Sequence, residues 1–388
     1  MDITIQPGKL SGNITVSPSK SEAHRYLICA AFAATPTTLI CPQTNRDIEA
    51  TADCLNALGA KIVRTADGYF IEPIRNTPQH AVLNCCESGS TLRFMLPIVG
   101  ALGVDAVFQM EGRLPQRPLS PLWEEMERMG CTLSRPTENT IHCCGKLRGG
   151  DYTIDGGVSS QFITGLYFAL PLLKTDNSLF ITGKLESKPY ITMTVRAFGL
   201  FGFPGNDSPG TVVVEGDWSN GAFWLAAKTL GNAVEVDNLN PDSPQGDRAV
   251  AALLPALDKN ITIDASDIPD LVPILAVAAA AKKGAVFTHI QRLRIKESDR
   301  VATVIEMIEN LGGTAEATED TLRISGTGLK GGTVNSHNDH RIAMAAAIAA
   351  TVCAEPVTVL GAEAVKKSYP TFWEEYHRLG GNYEQHIR

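Results

Sequence analysis

The fold is encoded in a pattern that is clearest at residues 53–71, DCLNALGAKIVRTADGYFI. A helical segment ends at Gly59, and a strand at 60–64, a polar turn at 65–68 and a second strand at 69–71 follow it. A glycine just past a helix supplies the left-handed residue that closes it, and Asp-Gly between alternating strands is a hairpin signal. The segment therefore predicts a helix–strand–turn–strand unit.

The same pattern recurs at 123–144, 193–214 and 301–325, with weaker copies ending near Leu257 and Gly380. Units of about 65 residues are too long for a solenoid of single helix pairs, and six of them fill the chain. The Ala-rich segments 222–230, 272–282 and 342–352 are apolar on every side, which predicts buried helices. We therefore expect two similar lobes of three units each, with helices inside, sheets outside and a boundary near residues 214–217.

The composition narrows the class of protein. A chain of 388 residues, 44% hydrophobic and 20% charged, is typical of a soluble two-domain protein, and a net charge of −8 argues against general nucleic-acid binding. The N-terminus has no basic leader, and the apolar segment 274–281 is too short to span a bilayer. Nine cysteines without a Cys-x-x-Cys spacing predict reduced structural thiols in a cytosol and no metal site.

Polar residues gather where buried helices are predicted to begin. In the segment 18–25, Pro18-Ser19-Lys20-Ser21-Glu22-Ala23-His24-Arg25, either Ser19 or Ser21 can cap the helix. A lysine at a helix N-terminus is unfavourable by about 0.3–1 kcal/mol unless something negative lies nearby. The segment predicts either an anion site or a capped helix with two solvated cations.

Similar clusters occur at 87–93, 111–118, 158–162, 291–300, 338–341 and 366–370, and Asp270 precedes the apolar segment 271–281. Each alone is compatible with an ordinary cap, a solvated loop or a surface salt-bridge network. Together they predict a positive cleft for two anionic groups, with Asp270 and Glu297 as general base and general acid. The glycine pattern at 326–331 matches a dinucleotide fingerprint but leads into a predicted strand, so a Rossmann site is rejected.

These motifs, in their order along residues 18–370, resemble those of the 3-phosphoshikimate 1-carboxyvinyltransferase (EPSP synthase) family of enolpyruvyl transferases. The resemblance is carried by Ser19-Lys20-Ser21-x-x-x-Arg25, Gly89-Ser90-Thr91-x-Arg93, Gln116-Arg117-Pro118, Ser159-Ser160-Gln161, Ser187-Lys188-Pro189-Tyr190, Ile268-Pro269-Asp270, Lys296-Glu297-Ser298-Asp299-Arg300, Asn338-Asp339-His340-Arg341 and Lys367-Ser368-Tyr369-Pro370. It implies an α/β fold, a two-lobed inside-out α/β barrel with three repeat units per lobe. Residues 1–19 plus 218–388 would form the phosphoenolpyruvate lobe with the catalytic carboxylates, and residues 20–217 the shikimate 3-phosphate lobe, which close on substrate.

The resemblance also implies a reaction. The enolpyruvyl group of phosphoenolpyruvate would pass to the 5-hydroxyl of shikimate 3-phosphate, with release of phosphate, in chorismate and aromatic amino acid biosynthesis (EC 2.5.1.19). The implied enzyme is a cytoplasmic monomer without a metal or organic cofactor, and it binds neither nucleic acid nor membrane.

Site residues carry over position by position from the resemblance. The implied catalytic residues are Asp270, Glu297 and Lys20. The implied shikimate 3-phosphate contacts are Lys20, Ser21, Arg25, Ser159, Ser160, Gln161, Ser187, Tyr190, Asp270 and Lys296. The implied phosphoenolpyruvate contacts are Lys20, Gly89, Arg117, Gln161, Arg300, Arg341 and Lys367.

The chain departs from the family pattern at two positions. Glu87 stands where many members have Asn, and Arg292 stands where some have Asn, which leaves inhibitor sensitivity open. The nearest rival is the sister transferase acting on UDP-N-acetylglucosamine, which typically has a catalytic cysteine in the loop that corresponds to residues 111–118, where this chain has none. A non-catalytic relative that only binds ligand would not need both Asp270 and Glu297.

Overall fold

The structure is a computed structural model, and it describes residues 1–386. The helices in this part of the chain are α1 Lys20–Ala31, α2 Arg46–Ala57, α3 Gly89–Leu102, α4 Leu122–Arg128, α5 Ser160–Ala169, α6 Lys188–Phe201, α7 Trp218–Thr229, α8 Val250–Ala256, α9 Val272–Ala281, α10 Arg300–Asn310, α11 His340–Ala349 and α12 Phe372–Arg378. The strands are β1 Asp2–Ile5, β2 Ser11–Thr15, β3 Thr37–Ile40, β4 Lys61–Arg64, β5 Gly68–Glu72, β6 His80–Asn84, β7 Asp105–Gln109, β8 Cys131–Ser134, β9 Thr140–Gly145, β10 Gly150–Asp155, β11 Asn177–Thr182, β12 Thr211–Val213, β13 Ala233–Asp237, β14 Ile261–Asp264, β15 Ala285–Thr288, β16 Ala315–Ala317, β17 Thr321–Ile324, β18 Gly332–Asn335, β19 Val357–Leu360 and β20 Tyr383–His386.

The chain divides into two compact units. We call Pro18–Glu215 the continuous unit, and Met1–Ser17 with Gly216–Arg388 the split unit. The units divide at 17/18 and 215/216. Each division lies two residues before the boundary that the resemblance implies, at 19/20 and 217/218. The assignment of one substrate to each lobe stays a prediction.

Each unit contains three sheets of matching topology. In the continuous unit the strand orders are β6-β7-β9-β8, β12-β3-β5-β4 and the pair β10-β11. In the split unit they are β14-β15-β17-β16, β18-β19-β1-β20 and the pair β2-β13. In every four-stranded sheet the first two strands are parallel and the other pairings are antiparallel. The expectation of three repeats per lobe is confirmed.

One helix recurs at the same place in all six repeats. Each odd-numbered helix leads into the second strand of a parallel pair: β3, β7, β11, β13, β15 or β19. In four repeats this helix joins the two parallel strands themselves, because parallel neighbours need a crossover that returns the chain to the same end of the sheet. In the other two repeats, α1 leads from β2 to β3 and α7 leads from β12 to β13, whereas the paired strands are β12 with β3 and β2 with β13. The even-numbered helices follow the same strands. The segments that the sequence singled out as helix starts at 18–25, 87–93, 158–162 and 338–341 therefore occupy equivalent positions in different repeats.

The helices lie inside each unit and the sheets outside. In the split unit, every residue of α11 and every residue of α9 except the last, Ala281, is buried, and the two helices pack together. Their alanines allow close approach of the two backbones, which confirms the expectation of buried Ala-rich helices. In the continuous unit, α3 packs on α5 in the same way. The strands alternate between buried and more exposed residues, as in β9 and β10, because only one face of each sheet covers the helices.

The sheets themselves stay open. Within residues 1–386 the hydrogen-bonded strands form six separate sheets, and none closes on itself. The barrel character expected from the resemblance therefore describes helices enclosed by three sheets rather than one continuous ring of strands.

Candidate active site

The split unit gathers its candidate residues around Arg300, the first residue of α10. This guanidinium is 1% exposed and contacts three carboxylates: Asp270 at 2.6 Å, Glu297 at 2.6 Å and Asp339 at 2.8 Å. A buried charge is tolerated only when it is paired, and breaking such a pair costs about 3–5 kcal/mol. Burial lowers the pKa of Arg300, but the three carboxylates outweigh it and hold that pKa well above its usual value.

Asp270, two residues before α9, is bound by two arginines. Oδ1 accepts a hydrogen bond from Arg300, and Oδ2 accepts one from Arg341 at 3.0 Å. Lys296 Nζ lies 3.8 Å from Oδ1. Although burial raises the pKa of Asp270, these cations hold it well below its usual range. The proposed base is therefore an ionised carboxylate whose two oxygens are both engaged.

Asp339 caps α11 and orders the same cluster. Its side chain is fully buried, and it accepts hydrogen bonds from the backbone N–H of Arg341 and from the hydroxyl of Ser298, each at 3.0 Å. Burial raises the pKa of Asp339, but Arg300 outweighs it and the pKa is lowered. The preceding residues His337 and Asn338 have φ values of +50° and +57°, a left-handed conformation that costs energy outside glycine. Strained backbone thus precedes the helix that carries Arg341.

Two lysines complete the split unit's set. Burial lowers the pKa of Lys296 to about 8; Asp270 counteracts this shift and Arg292 adds to it. Lys367 ends the short 3-10 helix Ala362–Lys367 and donates a hydrogen bond to the backbone carbonyl of Asn338 at 2.8 Å. The structure therefore brings Asp270, Lys296, Glu297, Arg300 and Arg341 into one cluster, with Lys367 attached to it through the start of α11.

In the continuous unit, Lys20 begins α1 and has an acidic partner. Ser19 is the N-cap and accepts a hydrogen bond from the backbone N–H of Glu22, so Ser21 is not the cap. Lys20 Nζ lies 2.9 Å from Asp47 Oδ2, and both side chains are mostly buried. Asp47, in the first turn of α2, thus supplies the negative charge that offsets the unfavourable position of Lys20 at a helix N-terminus.

Arg25 is a buried, hydrogen-bonded cation rather than a solvated one. Its side chain is 2% exposed and donates to the carbonyls of Ser21 at 2.6 Å and Tyr190 at 2.8 Å, and to Thr194 Oγ1 at 2.9 Å. Burial lowers the pKa of Arg25 to about 10. Arg25 thereby fixes α1 against the first turn of α6. The residue before α6, Ser187, is buried and has a φ of +56°.

Gln161 joins the starts of α5 and α3. Its Oε1 accepts a hydrogen bond from Arg93 at 2.7 Å, and its Nε2 donates to Ser90 Oγ at 2.9 Å. Ser159 caps α5 through the backbone N–H of Gln161, and Ser160 is the first, buried residue of the helix. Ser159 is therefore the N-cap of α5, and the side chain of Gln161 is held between α5 and α3.

Arg117 lies over the start of α3. A Cβ at Gly89 would be 2.7 Å from Arg117 Nη1 and 2.9 Å from Arg93 Nη1. Glycine at this position therefore permits two guanidinium groups to approach the N-terminal turn of the helix. Such an arrangement suits a phosphate or a carboxylate.

A buried chain of hydroxyls connects these helix starts. His24 Nδ1 contacts Thr51 Oγ1 at 2.7 Å, Thr51 contacts Thr91 Oγ1 at 2.7 Å, and Thr91 donates to Ser88, the N-cap of α3, at 2.7 Å. Burial holds the pKa of His24 well below its usual value, so this imidazole is neutral. The chain ties the helix of Lys20 to the helix of Gly89 through α2.

Sequence reasoning missed several residues that matter here. Asp47 and Thr51 lie in α2, which the sequence analysis treated only as part of the repeat, and Asp247 lies in the short 3-10 helix Gly246–Ala249. Asp47 could have been found, because Asn45-Arg46-Asp47 is another polar cluster at a helix start. No sequence motif near Thr51 or Asp247 indicates a functional role, because their hydrogen-bond partners are remote in sequence.

The fold agrees with that of solved EPSP synthases from Acinetobacter baumannii. Two such structures superpose with TM-scores of 0.79 and 0.80 at 22% and 21% identity; they cover 99% and 100% of this chain, and their own chains are matched completely. The family model for EPSP synthase (3-phosphoshikimate 1-carboxyvinyltransferase) matches residues 5–267 and 257–376.

The chain belongs to the EPSP synthase family.

Curated relatives agree over nearly the full length. The 3-phosphoshikimate 1-carboxyvinyltransferase of Clostridium kluyveri is 39% identical over 99% of this chain and 98% of its own. The enzyme of the same name from Clostridium acetobutylicum is 38% identical over 98% and 97%. The resemblance drawn from the nine motifs is therefore confirmed. Separately, among residues 1–386 we find no helix with the length and apolar character to cross a membrane.

Proposed function

We propose that the chain transfers the enolpyruvyl group of phosphoenolpyruvate to the 5-hydroxyl of shikimate 3-phosphate and releases phosphate. This is the 3-phosphoshikimate 1-carboxyvinyltransferase step of chorismate and aromatic amino acid biosynthesis. The observation that carries the proposal is family membership over nearly the whole chain. The chemistry of the clusters supports it, because both substrates are anions and the buried cations lie at helix starts.

We assign phosphoenolpyruvate binding to the cations and the glycine turn. The proposed contacts are Lys20, Gly89, Arg117, Gln161, Arg300, Arg341 and Lys367. Arginine binds carboxylate and phosphate oxygens in pairs, and the approach of Arg117 to Gly89 leaves backbone N–H groups beside a guanidinium. The split unit would form the phosphoenolpyruvate side with the catalytic carboxylates.

Shikimate 3-phosphate would be bound mainly by the continuous unit. The proposed contacts are Lys20, Ser21, Arg25, Ser159, Ser160, Gln161, Ser187, Tyr190, Asp270 and Lys296. Hydroxyls at helix starts suit a phosphate and a polyol together. The contacts of Arg25 to two backbone carbonyls give it a structural role as well, because it fixes α1 against α6.

Asp270 would accept the proton of the attacking hydroxyl. Its ion pairs with Arg300 and Arg341 depress its pKa, which makes it a weak base before substrate binds. A phosphoenolpyruvate carboxylate that binds Arg341 would draw this cation away from Asp270 and raise its pKa. Binding of one substrate would thus activate the base for the other.

Glu297, with Lys20, would deliver a proton to the methylene carbon of phosphoenolpyruvate. The hydroxyl oxygen then forms its bond to the neighbouring carbon, which gives a tetrahedral intermediate. As phosphate leaves that intermediate, Glu297, deprotonated by the first step, would take back a methyl proton, and the electron pair of the broken C–H bond would restore the double bond in the product. Negative charge on the phosphate grows as it leaves, so the cations stabilise this transition state more than the ground state.

We further propose that the enzyme is a cytoplasmic monomer. All nine cysteines, each within the described part of the chain, are free thiols, which fits a reducing compartment. All proposed contacts come from a single chain. Light scattering coupled to size exclusion tests the monomer, and cell fractionation tests the compartment.

The deciding experiment measures phosphate release from phosphoenolpyruvate with the purified chain. We expect release only when shikimate 3-phosphate is present; release with UDP-N-acetylglucosamine instead would overturn the proposal. Arg341→Met should raise the KM for phosphoenolpyruvate. Arg323→Met is the matched control, because Arg323 is an exposed arginine of the same unit that is paired only on the surface with Glu316.

A further inference from the structure

Another buried carboxylate, Asp247, lies within electrostatic range of Asp270 and Arg341 in the split unit. Its side chain is 3% exposed. Oδ2 accepts a hydrogen bond from the hydroxyl of Ser219, in the first turn of α7. Oδ1 is buried and has no hydrogen-bond partner among the described residues. Half of this carboxyl group is therefore unsatisfied in a protein interior.

An ionised carboxylate in that position would be costly, because burial without a full set of partners disfavours the charged form. The pKa of Asp247 is raised to about 7: burial makes the largest contribution, the charges of Asp270 and Asp217 add to it, and Arg341 and the hydrogen bond from Ser219 partly oppose it. The neighbouring Asp270 has the opposite shift, well below its usual range. Two nearby carboxyl groups are thus driven to different protonation states, a common arrangement where a site needs one acid and one base.

The protonation state of Asp247 matters through Arg341. Arg341 already neutralises Asp270, to which it donates a hydrogen bond at 3.0 Å. A negative charge on Asp247, within electrostatic range of Arg341, would oppose the attraction of that guanidinium for an incoming anion. When Asp247 is neutral, Asp270 is the only one of these two carboxyl groups whose negative charge acts on the Arg341 guanidinium.

We propose that Asp247 is a positioning residue for the transfer reaction: its protonated side chain, anchored by Ser219, keeps Arg341 available to phosphoenolpyruvate, and loss of the proton weakens binding of that substrate. The inference rests on the proposed function, because it assumes that Arg341 binds phosphoenolpyruvate. It adds a residue that acts through another rather than on the reacting atoms.

The first test compares the pH dependence of the KM for phosphoenolpyruvate in four proteins. In the wild-type chain we expect the KM to rise about fivefold between pH 7 and pH 8, because the protonated fraction of a group with a pKa of about 7 falls by that factor. Asp247→Asn has no proton to lose and should lack this component. Ser219→Ala removes a hydrogen bond that lowers the pKa of Asp247, so the rise should move to higher pH. Asp242→Asn, at an exposed aspartate of the same loop, should behave like wild type.

The variants separate this effect from other titrations. Lys296 and the substrate phosphate also titrate in the alkaline or neutral range, but they are unchanged in all four proteins. A merely structural role for Asp247 would lower stability or kcat at every pH without changing the pH profile of this KM. Should Asp247→Asn fail to fold, the direction of the shift in Ser219→Ala carries the test.

Infrared spectroscopy of the full chain without substrates provides a readout besides activity. Burial raises the pKa of Glu22 to about 7 as well, so its protonated carboxyl group contributes a carbonyl band in all the variants. We expect the wild-type chain and Asp242→Asn to show an additional band of this kind that disappears near pH 7, and Asp247→Asn to lack this additional band. An active enzyme whose Asp247→Asn variant keeps the wild-type pH profile, or the additional band, would overturn the role of Asp247 alone. Absence of any phosphate release with shikimate 3-phosphate would instead overturn the proposed function.

Discussion

Replacing Asp270 by asparagine tests the proposed base most directly. The substitution keeps the shape of the side chain but removes the charge that Arg300 and Arg341 share. An amide oxygen can still accept one of the two hydrogen bonds, whereas the amide NH₂ would face a guanidinium donor. The variant therefore loses both its basicity and part of its ion-pair network.

The expected stability change follows from the contacts. Removing one partner of a buried ion pair costs about 3–5 kcal/mol. Asp270 is 18% exposed, and Arg300 keeps Glu297 and Asp339 as partners, so the free energy of unfolding should fall by a value at the low end, about 3 kcal/mol. Loss of a general base should lower kcat by about 10²–10⁴-fold. Loss of one hydrogen bond should weaken shikimate 3-phosphate binding only by about fivefold.

Three measurements separate these effects. Urea unfolding gives the stability, calorimetry gives the dissociation constant of shikimate 3-phosphate, and phosphate release at saturating substrates gives kcat. The exposed Asp242→Asn serves as the control for loss of a carboxylate in the same unit. A folded Asp270→Asn protein with a kcat within tenfold of wild type would show that another group removes the proton.

Three further predictions use the same preparations. Gly89→Ala should raise the KM for phosphoenolpyruvate, because the new methyl group would lie 2.7 Å from a guanidinium nitrogen, whereas the helical Gly199→Ala, with open space around its Cβ, should not; equal KM values for the two variants would contradict the assignment. Thr51→Val breaks the buried hydroxyl chain and should lower the free energy of unfolding by about 1–3 kcal/mol, measured in urea against the exposed Thr192→Val. The pKa of Asp339 is lowered by its ion pair, so this pair stabilises the fold above the unfolded value of about pH 4, and the stability is lost as pH falls through the folded pKa. Urea unfolding between pH 7 and pH 3 should therefore show a shallower acid decline in Asp339→Asn, and a decline as steep as that of wild type would argue against this ion pair.

Local pattern was enough to predict the repeat and the buried helices. Helices α9 and α11 follow from an uninterrupted apolar sequence, and the hairpins follow from polar turns between alternating strands. Ser19 and Asp299 are N-caps, because a short polar side chain just before an apolar helix can bind its free N–H groups. Apolar runs, turns and helix caps depend on residues only a few positions apart, so all the information needed to predict them is present in the local sequence.

Recognition of the family also came from the sequence, since nine motifs in one order identify it where single motifs are weak. The motifs located cations and carboxylates but not their partners. The sequence treated Lys20 as a cation awaiting an external anion, and the structure pairs it with Asp47 of the next helix. Arg25 looked like a ligand contact, and the structure buries it between the backbone carbonyl of Ser21 in α1 and that of Tyr190 in α6.

Long-range pairing was decided by the tertiary structure alone. β1 enters a sheet with β19 and β20 from the other end of the chain, and β12 pairs with β3 across most of the continuous unit. The position of Asp247 within electrostatic range of Asp270 and Arg341 is of the same kind. Side-chain type and periodicity determine which residues are buried, helical or charged, because those preferences act over one or two turns. Which charges meet, and therefore which are paired, shifted in pKa or left with an unsatisfied oxygen, depends on distances that only the folded chain sets.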